Sequence, residues 1–578
     1  MREMNQFFGL VRRGAALAVA TLAVGAAQGA TPGIVGTGGG SAPAFDLIAK
    51  DGYVSQPDGA SVYTWGYGCN SQPGAFVPAG IPGTCPNGEM QLPGPTLVVN
   101  QGDTVSVTLK NSLPPAAGNT SILFPGFAVS ASATTGSTGA CTSPVSGVLT
   151  TEAANGCAVT YTFVAATAGT HSYYSGTQGD LQVEMGLYGA LIVLPSKVVG
   201  NTITPLNGAV PTLYTTPAAN LPDTCHALTP ALTLPNGAQD FRLAAAAFDH
   251  PGACYDREYL FQMSEMDPRI HAEALAQVTS LGACTAGTSG CSLQVPTEPY
   301  HPAYFLLNGR SMPDDMDPNY APQYPRQPYN SNPHMHPGEL TLVRVIGQGR
   351  MQHPFHEHAN HVRVLARDGY LLLTAGNNLA GPLLFTTSTV PGQTLDGIFQ
   401  FTAKGLNWDV YGHSSTAGAG DKYATNAADP IYGSYNGTPV PPCKPDANGY
   451  YTTGSGAPVT APNYFEWCAD HQLALEAKPF GQVGSGGPVT LPDPNVLVNG
   501  AWYSGSPYLG PDAAARSVGP TPIPPFGTIA NDPGAEAGFA YMWHSHNERE
   551  ITTNNIFPGG MMTMMLVDPW VFFINEAN

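Results

Sequence analysis

The pattern of apolar and polar residues along the chain predicts many short β-strands. Thr104 to Leu109 and Val159 to Val164 alternate between apolar and polar residues, as strands do when one face is buried. Leu187 to Leu194 is a continuous apolar run, which indicates a strand buried on both faces. Arg257 to Met263 and Glu339 to Ile346 are further predicted strands. The chain is therefore predicted to be all-β.

One segment departs from this pattern and predicts a helix. Asp267 is a favourable N-cap, and Pro268 suits the first turn because its missing N–H would have no partner there. The helix is predicted to run to Thr279.

Composition agrees with short strands joined by turns. Among 578 residues, 68 are Gly and 55 are Pro, while charged residues make up only 11%. A chain of this length is long enough for two to four domains with substantial cores.

The net charge of −19 disfavours partners that are themselves anionic. Such a surface repels nucleic acid and acidic lipid, so we expect no nucleic-acid partner. Residues 1–30 are predicted to be a secretory signal, because a basic start with Arg12 and Arg13 precedes a short apolar run from Ala15 to Ala27. No later segment reaches transmembrane length, which predicts a soluble periplasmic or extracellular protein.

Ten cysteines in an exported chain predict disulfide bonds. Although many connectivities are possible, neighbours in sequence pair naturally. The predicted pairs are Cys69–Cys85, Cys141–Cys157, Cys225–Cys254, Cys284–Cys291 and Cys443–Cys468.

Two histidine-rich stretches carry the chemistry. The first contains His353, His356, His358 and His361, and the second contains His544 and His546. Residues i and i+2 of a strand point to the same face, so each His-x-His directs two imidazoles to one place. Neutral imidazole is the commonest protein ligand for transition metals. The six histidines are therefore the predicted metal-binding residues.

Two other patterns near these stretches have less specific interpretations. His334 and His336 form a third His-x-His, but flanking prolines disfavour a regular central strand there. Four methionines between Met561 and Met565 suit either a copper(I) site or a buried terminal strand that uses Met as filler.

The contexts of these motifs resemble the multicopper oxidases. His353-Pro-Phe-His356-Glu-His358 is similar to the third copper motif of that family, and Trp543-His-Ser-His546 is similar to the fourth. Leu92 to Val105 resembles the opening of the family's first domain, and Gly186 to Val193 resembles its closing strand. The resemblance implies cupredoxin-like Greek-key β-sandwich domains and copper as the cofactor.

The chain departs from the family at several positions that matter. The first-domain His-x-His pairs, expected after Ile122 and near Gly169 to Gln178, are absent, although His171 remains nearby. Ser545 stands where the family has the Cys of the blue, type 1 copper, and Glu550 stands at the second type 1 His position. A serine hydroxyl cannot replace the thiolate that defines a blue site. Only the half of the oxygen site carried by the second domain is retained.

The predicted organisation follows from these segments. Residues 1–30 are the signal peptide, and residues 31–199 are an N-terminal cupredoxin-like domain. Residues 200–295 are a linker or a degenerate middle domain, so the chain has two such domains or three. Residues 296–578 form the C-terminal domain with the histidine motifs and a long insertion at about 403–537.

The favoured hypothesis is an exported copper-binding protein, with His356, His358, His544 and His546 around one or two copper ions. His353 and His361 would be outer ligands or orienting residues, and Glu357 and Glu548 would fix the tautomers of the imidazoles. If it is an enzyme, the resemblance implies an oxidoreductase acting on a small molecule or a metal ion, without the usual four-copper route.

Two alternatives remain open at this stage. The chain can be a non-catalytic protein that sequesters copper or serves as a structural β-protein. It can also hold iron, manganese or zinc, because Glu550 would add a carboxylate to the histidines. Whether it forms a homo-oligomer is not determined by the sequence.

Overall fold

A computed structural model describes residues 31–195, 243–402, 444–457 and 537–568, apart from short gaps at 39, 79–82, 135–140, 142–144, 245 and 251. A few short strands and single residues between 434 and 509, and residue 574, are also described. The predicted signal peptide and most of the predicted insertion lie outside the described residues.

Strands dominate the described chain. The first twelve are β1 (Gly33–Val35), β2 (Ala44–Ser55), β3 (Ser61–Cys69), β4 (Ala75–Val77), β5 (Leu97–Asn100), β6 (Thr104–Asn111), β7 (Ser130–Thr134), β8 (Val145–Ser146), β9 (Thr151–Glu152), β10 (Ala158–Val164), β11 (Gly169–Tyr174) and β12 (Tyr188–Leu194). The next ten are β13 (Arg257–Met266), β14 (Tyr304–Leu307), β15 (His334–Met335), β16 (Leu340–Gly347), β17 (His353–Glu357), β18 (Val362–Arg367), β19 (Tyr370–Leu371), β20 (Leu383–Leu384), β21 (Thr386–Thr389) and β22 (Thr394–Gln400). The last seven are β23 (Ser434–Tyr435), β24 (Thr438–Pro439), β25 (Leu475–Glu476), β26 (Gly487–Pro488), β27 (Gly505–Leu509), β28 (Ala537–Ser545) and β29 (Met562–Val567).

The first sandwich is built from two five-stranded sheets. One has the spatial order β11-β12-β5-β1-β4 and the other β3-β2-β6-β10-β7. Their inward residues share one core, in which Leu97 and Leu191 of the first sheet meet Leu47, Val107 and Tyr161 of the second. The alternation predicted for β6 and β10 is confirmed up to Phe163, because alternate apolar residues are buried, namely Val105, Val107, Leu109, Val159, Tyr161 and Phe163. Val164 at the end of β10 is exposed.

The second sandwich packs a seven-stranded sheet against a six-stranded one. The seven-stranded sheet has the order β14-β13-β16-β22-β18-β19, with β20 also paired to β18. The six-stranded sheet has the order β15-β29-β28-β17-β21, with β27 also paired to β28. Phe261 and Val345 of the former meet Phe355, Trp543 and Met565 of the latter in a common core. The predicted all-β class with β-sandwich domains is thus confirmed.

Two α-helices lie in the described residues, α1 (Gly179–Gln182) and α2 (Pro268–Leu281). Helix α2 begins as predicted, with Asp267 accepting a hydrogen bond from the Arg269 N–H, and extends two residues beyond the predicted Thr279. Ile270 and Ala274 of α2 are buried in the core of the first sandwich, although α2 follows a strand of the second. The chain crosses between the sandwiches here, whereas the boundaries predicted at 200–295 remain a prediction.

A buried polar contact joins the two sandwiches. Thr170 on β11 donates from its backbone N–H and its hydroxyl to Asp396 on β22, at 3.0 and 2.5 Å. Arg344 on β16 donates to the Thr170 hydroxyl at 3.0 Å and also pairs with Asp396 and Glu258. The first sandwich therefore contacts the seven-stranded sheet, which is not the sheet that carries the histidine pairs.

Three predicted disulfides are confirmed, namely Cys69–Cys85, Cys141–Cys157 and Cys284–Cys291. Cys254 is also disulfide-bonded, while Cys225, Cys443 and Cys468 lie outside the described residues. None of the helices that the structure describes has the length and apolar character needed to span a bilayer.

Candidate metal centre

The histidine motifs lie on two neighbouring antiparallel strands. His356 on β17 is the direct cross-strand partner of His544 on β28, and Phe355 is the partner of Ser545. Because side chains alternate across a strand, Phe355 and Trp543 enter the core of the sandwich while His356 and His544 face away from it. His358 and His546 follow two residues later on the same face. The alternation thus brings the two His-x-His pairs together.

Three imidazoles form a compact cluster. Ligand atoms of His356, His358 and His544 all lie within 4.8 Å of one another, and all three residues are buried. The Nε2 atoms of His358 and His544 are 3.2 Å apart. His546 is half-exposed, and its ring centroid lies 5.0 Å from that of His356 and 5.6 Å from that of His544. The cluster is closed on the protein side and open at His546.

The clustered imidazoles are in the neutral protonation state that binds a metal ion. Burial, reinforced by the neighbouring imidazoles, lowers the pKa of His356 to about 4 and that of His358 to about 3. Burial also lowers the pKa of His544. The three rings are therefore neutral at pH 7, which is the form that binds metal.

Hydrogen bonds fix two of these rings. The Nδ1 of His544 lies 2.7 Å from the Ser545 carbonyl oxygen, which can only accept, so the proton is on Nδ1 and Nε2 carries the lone pair. The Nδ1 of His356 bonds the Thr386 hydroxyl at 2.8 Å, which leaves its Nε2 for a ligand. Both contacts orient the imidazoles, as outer partners of metal-binding histidines commonly do.

His353 takes a different position from the cluster. It shares the inward face of β17 with Phe355, so its ring enters the sandwich rather than the outer face. There its Nε2 lies 2.8 Å from Glu265 on β13 and its Nδ1 lies 2.9 Å from Glu550. Burial disfavours the cation, but the bonds to the two carboxylates outweigh it and raise the pKa of His353 to about 9.

His361 is also not among the three clustered imidazoles. Its ring packs edge-on against Phe385 at 5.4 Å between centroids, and the same phenyl ring lies 5.8 Å from His356. Glu357 faces the core, where it accepts a hydrogen bond from Thr387, whereas Glu548 is 3.6 Å from the Nδ1 of His546. Of the six predicted ligands, the structure thus brings the ligand atoms of three together and places a fourth, His546, beside them.

The residues at the predicted type 1 positions bond to each other. The Ser545 hydroxyl donates to Glu550 at 2.5 Å, and the same Glu550 oxygen bonds His353. Asn547 donates to the other Glu550 oxygen at 2.8 Å. With a hydroxyl in place of a thiolate and both ring nitrogens of His353 bonded to carboxylates, this donor set does not fit a blue copper ion.

The first sandwich has a hydrogen-bond network at the positions where the resemblance to the multicopper oxidases predicts histidine pairs. The two segments concerned meet at a bridge between Leu123 and Tyr174. Nearby, Thr120 and Ser175 donate to the Gln182 side-chain oxygen at 2.9 and 2.7 Å, and the hydroxyls of Ser121 and Thr177 are 2.8 Å apart. His171 packs against Phe127 and bonds the Thr167 carbonyl.

The third His-x-His is also engaged in bonds within the protein. His334 pairs with Asp568 at 3.0 Å, and His336 pairs with Glu339 at 2.9 Å. Glu339 in addition forms a buried ion pair with Arg257. Met561 and Met565 are fully buried in the core of the second sandwich, which agrees with methionine as a filler.

Sequence reasoning missed Glu265 and Thr386. Glu265 points to the same buried face of β13 as Phe261 and Met263. A charged residue on a buried face needs a buried partner, so the sequence pattern could have identified Glu265. Thr386 had no such signal, because β21 is defined by its pairing with β17 rather than by its own pattern.

Comparison with known proteins gives one family match. Residues 82–198, about a fifth of the chain, match the family profile described as "Multicopper oxidase". No curated protein sequence matches the chain significantly.

Solved structures with some similarity to the chain include a blue copper oxidase from Nitrosomonas europaea, at 13% identity, 90% coverage of this chain, 85% of that one and a TM-score of 0.39. The multicopper oxidase mgLAC has 18% identity over 61% of this chain and 74% of its own, with a TM-score of 0.35. A copper nitrite reductase from Nitrosomonas europaea has 17% identity over 62% and 84%, with a TM-score of 0.34. The match to residues 82–198 confirms the resemblance to the multicopper oxidases that the motifs predict.

Proposed function

We propose that the chain is an exported copper protein in which His356, His358 and His544 hold a copper ion, with His546 at its exposed side. The observation that carries this proposal is the convergence of three buried, neutral imidazoles whose ligand atoms lie within 4.8 Å of one another. We further propose that the protein oxidises a small molecule or a metal ion at this site.

The donor set suits copper. Imidazole nitrogens bind copper and zinc well, whereas iron and manganese commonly take a carboxylate as well. Glu550, the carboxylate that the sequence suggested as a ligand, is bonded to His353 and Ser545 instead. The family that residues 82–198 match adds support for copper over zinc. Copper bound here would supply one-electron redox chemistry.

The protein's own residues prepare the site. The Ser545 carbonyl holds the proton of His544 on Nδ1, and the Thr386 hydroxyl orients His356. Burial keeps the rings neutral, so no proton has to leave before His356 or His358 can bind at neutral pH. The half-exposed His546 marks the side from which an ion or a substrate can approach.

Metal analysis of the purified full-length protein, with an electron paramagnetic resonance spectrum of the same sample, tests the proposal. We expect about one copper per chain and a spectrum without a blue-copper signal. The double variant His356→Ala/His544→Ala should lose the metal, whereas His301→Ala, which removes an exposed histidine outside the cluster, should keep it. Unchanged copper content in the double variant would show that the site is elsewhere.

Oxygen consumption with phenols, Fe²⁺ or Cu⁺ tests the catalytic part. A copper-loaded protein that oxidises none of them would favour the alternative of copper sequestration. A protein that binds zinc and excludes copper would overturn the redox proposal and favour hydrolytic chemistry.

A further inference from the structure

The buried chain Ser545–Glu550–His353–Glu265, here called the carboxylate clamp, lies directly behind the histidine cluster. Ser545 is on β28 between the clustered His544 and the half-exposed His546, and His353 is on β17 three residues before the clustered His356. Glu265 is on β13 in the opposite sheet. All four residues are at most 2% exposed. The clamp therefore ties both histidine strands to each other and to the facing sheet, through the core.

Burying these groups is costly unless they satisfy one another. Charged groups removed from water lose their hydration, and replacing a buried ion pair by apolar residues is often neutral or stabilising. What such a pair provides in some proteins is specificity of arrangement rather than stability. The clamp is fully bonded, because Glu265 also accepts from the Arg350 and Met351 backbone N–H groups.

The arrangement that the clamp can specify is strand register. A slip of one residue in β17 or β28 would exchange inward and outward side chains. His353 and Ser545 would then leave the core, and the histidines of the cluster would enter it. In the observed register, Phe355 opposes Ser545 and His356 opposes His544.

The clamp also extends towards the first sandwich. The Tyr300 hydroxyl contacts Glu265 at 3.1 Å and Glu184 at 2.6 Å, and Glu184 accepts from the backbone N–H of Asp267 at 2.6 Å. Glu184 follows helix α1 of the first sandwich. The Glu265 end of the clamp is thereby anchored by groups that do not belong to the histidine cluster.

We propose that the carboxylate clamp is a metal-free positioning device that holds β17 and β28 in the register in which His356, His358 and His544 converge. Two of its residues, Ser545 and Glu550, occupy the predicted type 1 positions, and the clamp connects there the elements that a metal would otherwise join. The inference rests on the proposed function where it is tested by copper affinity. A second measurement, the imidazole chemical shifts of the metal-free protein, does not depend on metal binding.

The test compares Ser545→Ala and Glu550→Gln with a matched control, His334→Gln. The control removes a buried histidine–carboxylate pair of the same sandwich, because His334 bonds Asp568 on the chain that continues β29. The readouts are the Cu²⁺ dissociation constant, the copper spectrum, and imidazole nitrogen chemical shifts of the metal-free full-length protein.

We expect Ser545→Ala and Glu550→Gln each to weaken Cu²⁺ binding about 10-fold or more, as loss of outer partners does at other metal sites. The imidazole shifts of His356 and His544 should change in the metal-free protein. Ser545→Thr, which keeps the hydroxyl, should restore both. His334→Gln should lower thermal stability and leave copper affinity and the imidazole shifts unchanged.

Unchanged copper affinity and imidazole shifts in folded Glu550→Gln would overturn the clamp, as would an equal loss of affinity in His334→Gln. If the wild type binds no Cu²⁺, the proposed function fails, and the metal-free imidazole shifts still decide the clamp by themselves.

Discussion

The two regions where copper-binding histidines are expected differ in how their polar groups are satisfied. In the first sandwich, the hydroxyls of Thr120 and Ser175 and the amide of Gln182 bond one another and leave nothing directed at a ligand. In the second sandwich, the Nε2 atoms of His358 and His544 face each other at 3.2 Å. A contact of this kind holds at most one proton between the two nitrogens, whereas a metal ion would use the lone pairs of both.

This contrast shows how two regions with the same expected role can differ in chemistry. At the expected positions in the first sandwich, polar side chains form hydrogen bonds within the protein. The same holds behind the cluster, where Ser545, Glu550 and His353 satisfy one another. In the part of the chain that the structure describes, the imidazoles whose ligand atoms converge lie on the outer face of β17 and β28.

The largest effect is expected from His353→Ala. This change leaves Glu265 and Glu550 buried without the cation that both bind, and breaking a buried pair in this way typically costs about 3–5 kcal/mol. Urea unfolding of the metal-free protein measures the change, with His301→Ala as the exposed control. If the free energy of unfolding falls by less than about 1 kcal/mol, the ion pairs of His353 contribute no more than an exposed surface pair does.

Alkaline pH should weaken the same ion pairs of His353, with a smaller loss of stability than His353→Ala causes. The pKa of His353 is raised to about 9, above the unfolded value of about 6.5, so its stabilising effect is complete below about pH 6.5 and is lost as pH rises through 9. The loss should be on the order of 2–3 kcal/mol. Unfolding curves from pH 6 to 10 measure it, and His353→Gln should abolish this part of the pH dependence.

A smaller effect is expected in the first sandwich. Gln182→Met keeps the side-chain length but removes the acceptor of Thr120 and Ser175, which should cost about 1–3 kcal/mol. Copper content should not change, because this network holds no metal in our proposal. A measurable drop in copper content per folded chain would break the contrast between the two regions.

The smallest effect is expected from Ser545→Cys. A thiol is restored, but Glu550 remains and both nitrogens of His353 are bonded to carboxylates, so no blue copper centre should form. Visible absorption and electron paramagnetic resonance of the copper-loaded variant measure this. An intense blue colour from this single change would show that copper can displace the bonds between His353 and the two carboxylates.

Sequence reasoning reached much of this picture because periodicity is a local property. The strands at 104–111 and 158–164, the helix capped by Asp267 and the shared face of each His-x-His pair all follow from spacing along the chain. Because side chains alternate along a strand, residues three apart point to opposite faces, so the sequence already implied that His353 and His356 lie on different faces of β17. The partners of His353 come from 88 and 197 residues away, and no local pattern specifies them.

Helix α2 has a consequence for how the molecule can be divided. Its buried residues Ile270 and Ala274 complete a core made mostly by residues before 194, while strand β13, immediately before it, belongs to the other sandwich. A fragment that ends near residue 199 would lack the α2 residues that help to fill the core of the first sandwich. A fragment that begins there would contain α2 without the core against which its apolar residues pack. We therefore expect the two sandwiches to melt in a single cooperative transition, with protease cleavage between residues 266 and 281 suppressed until both unfold.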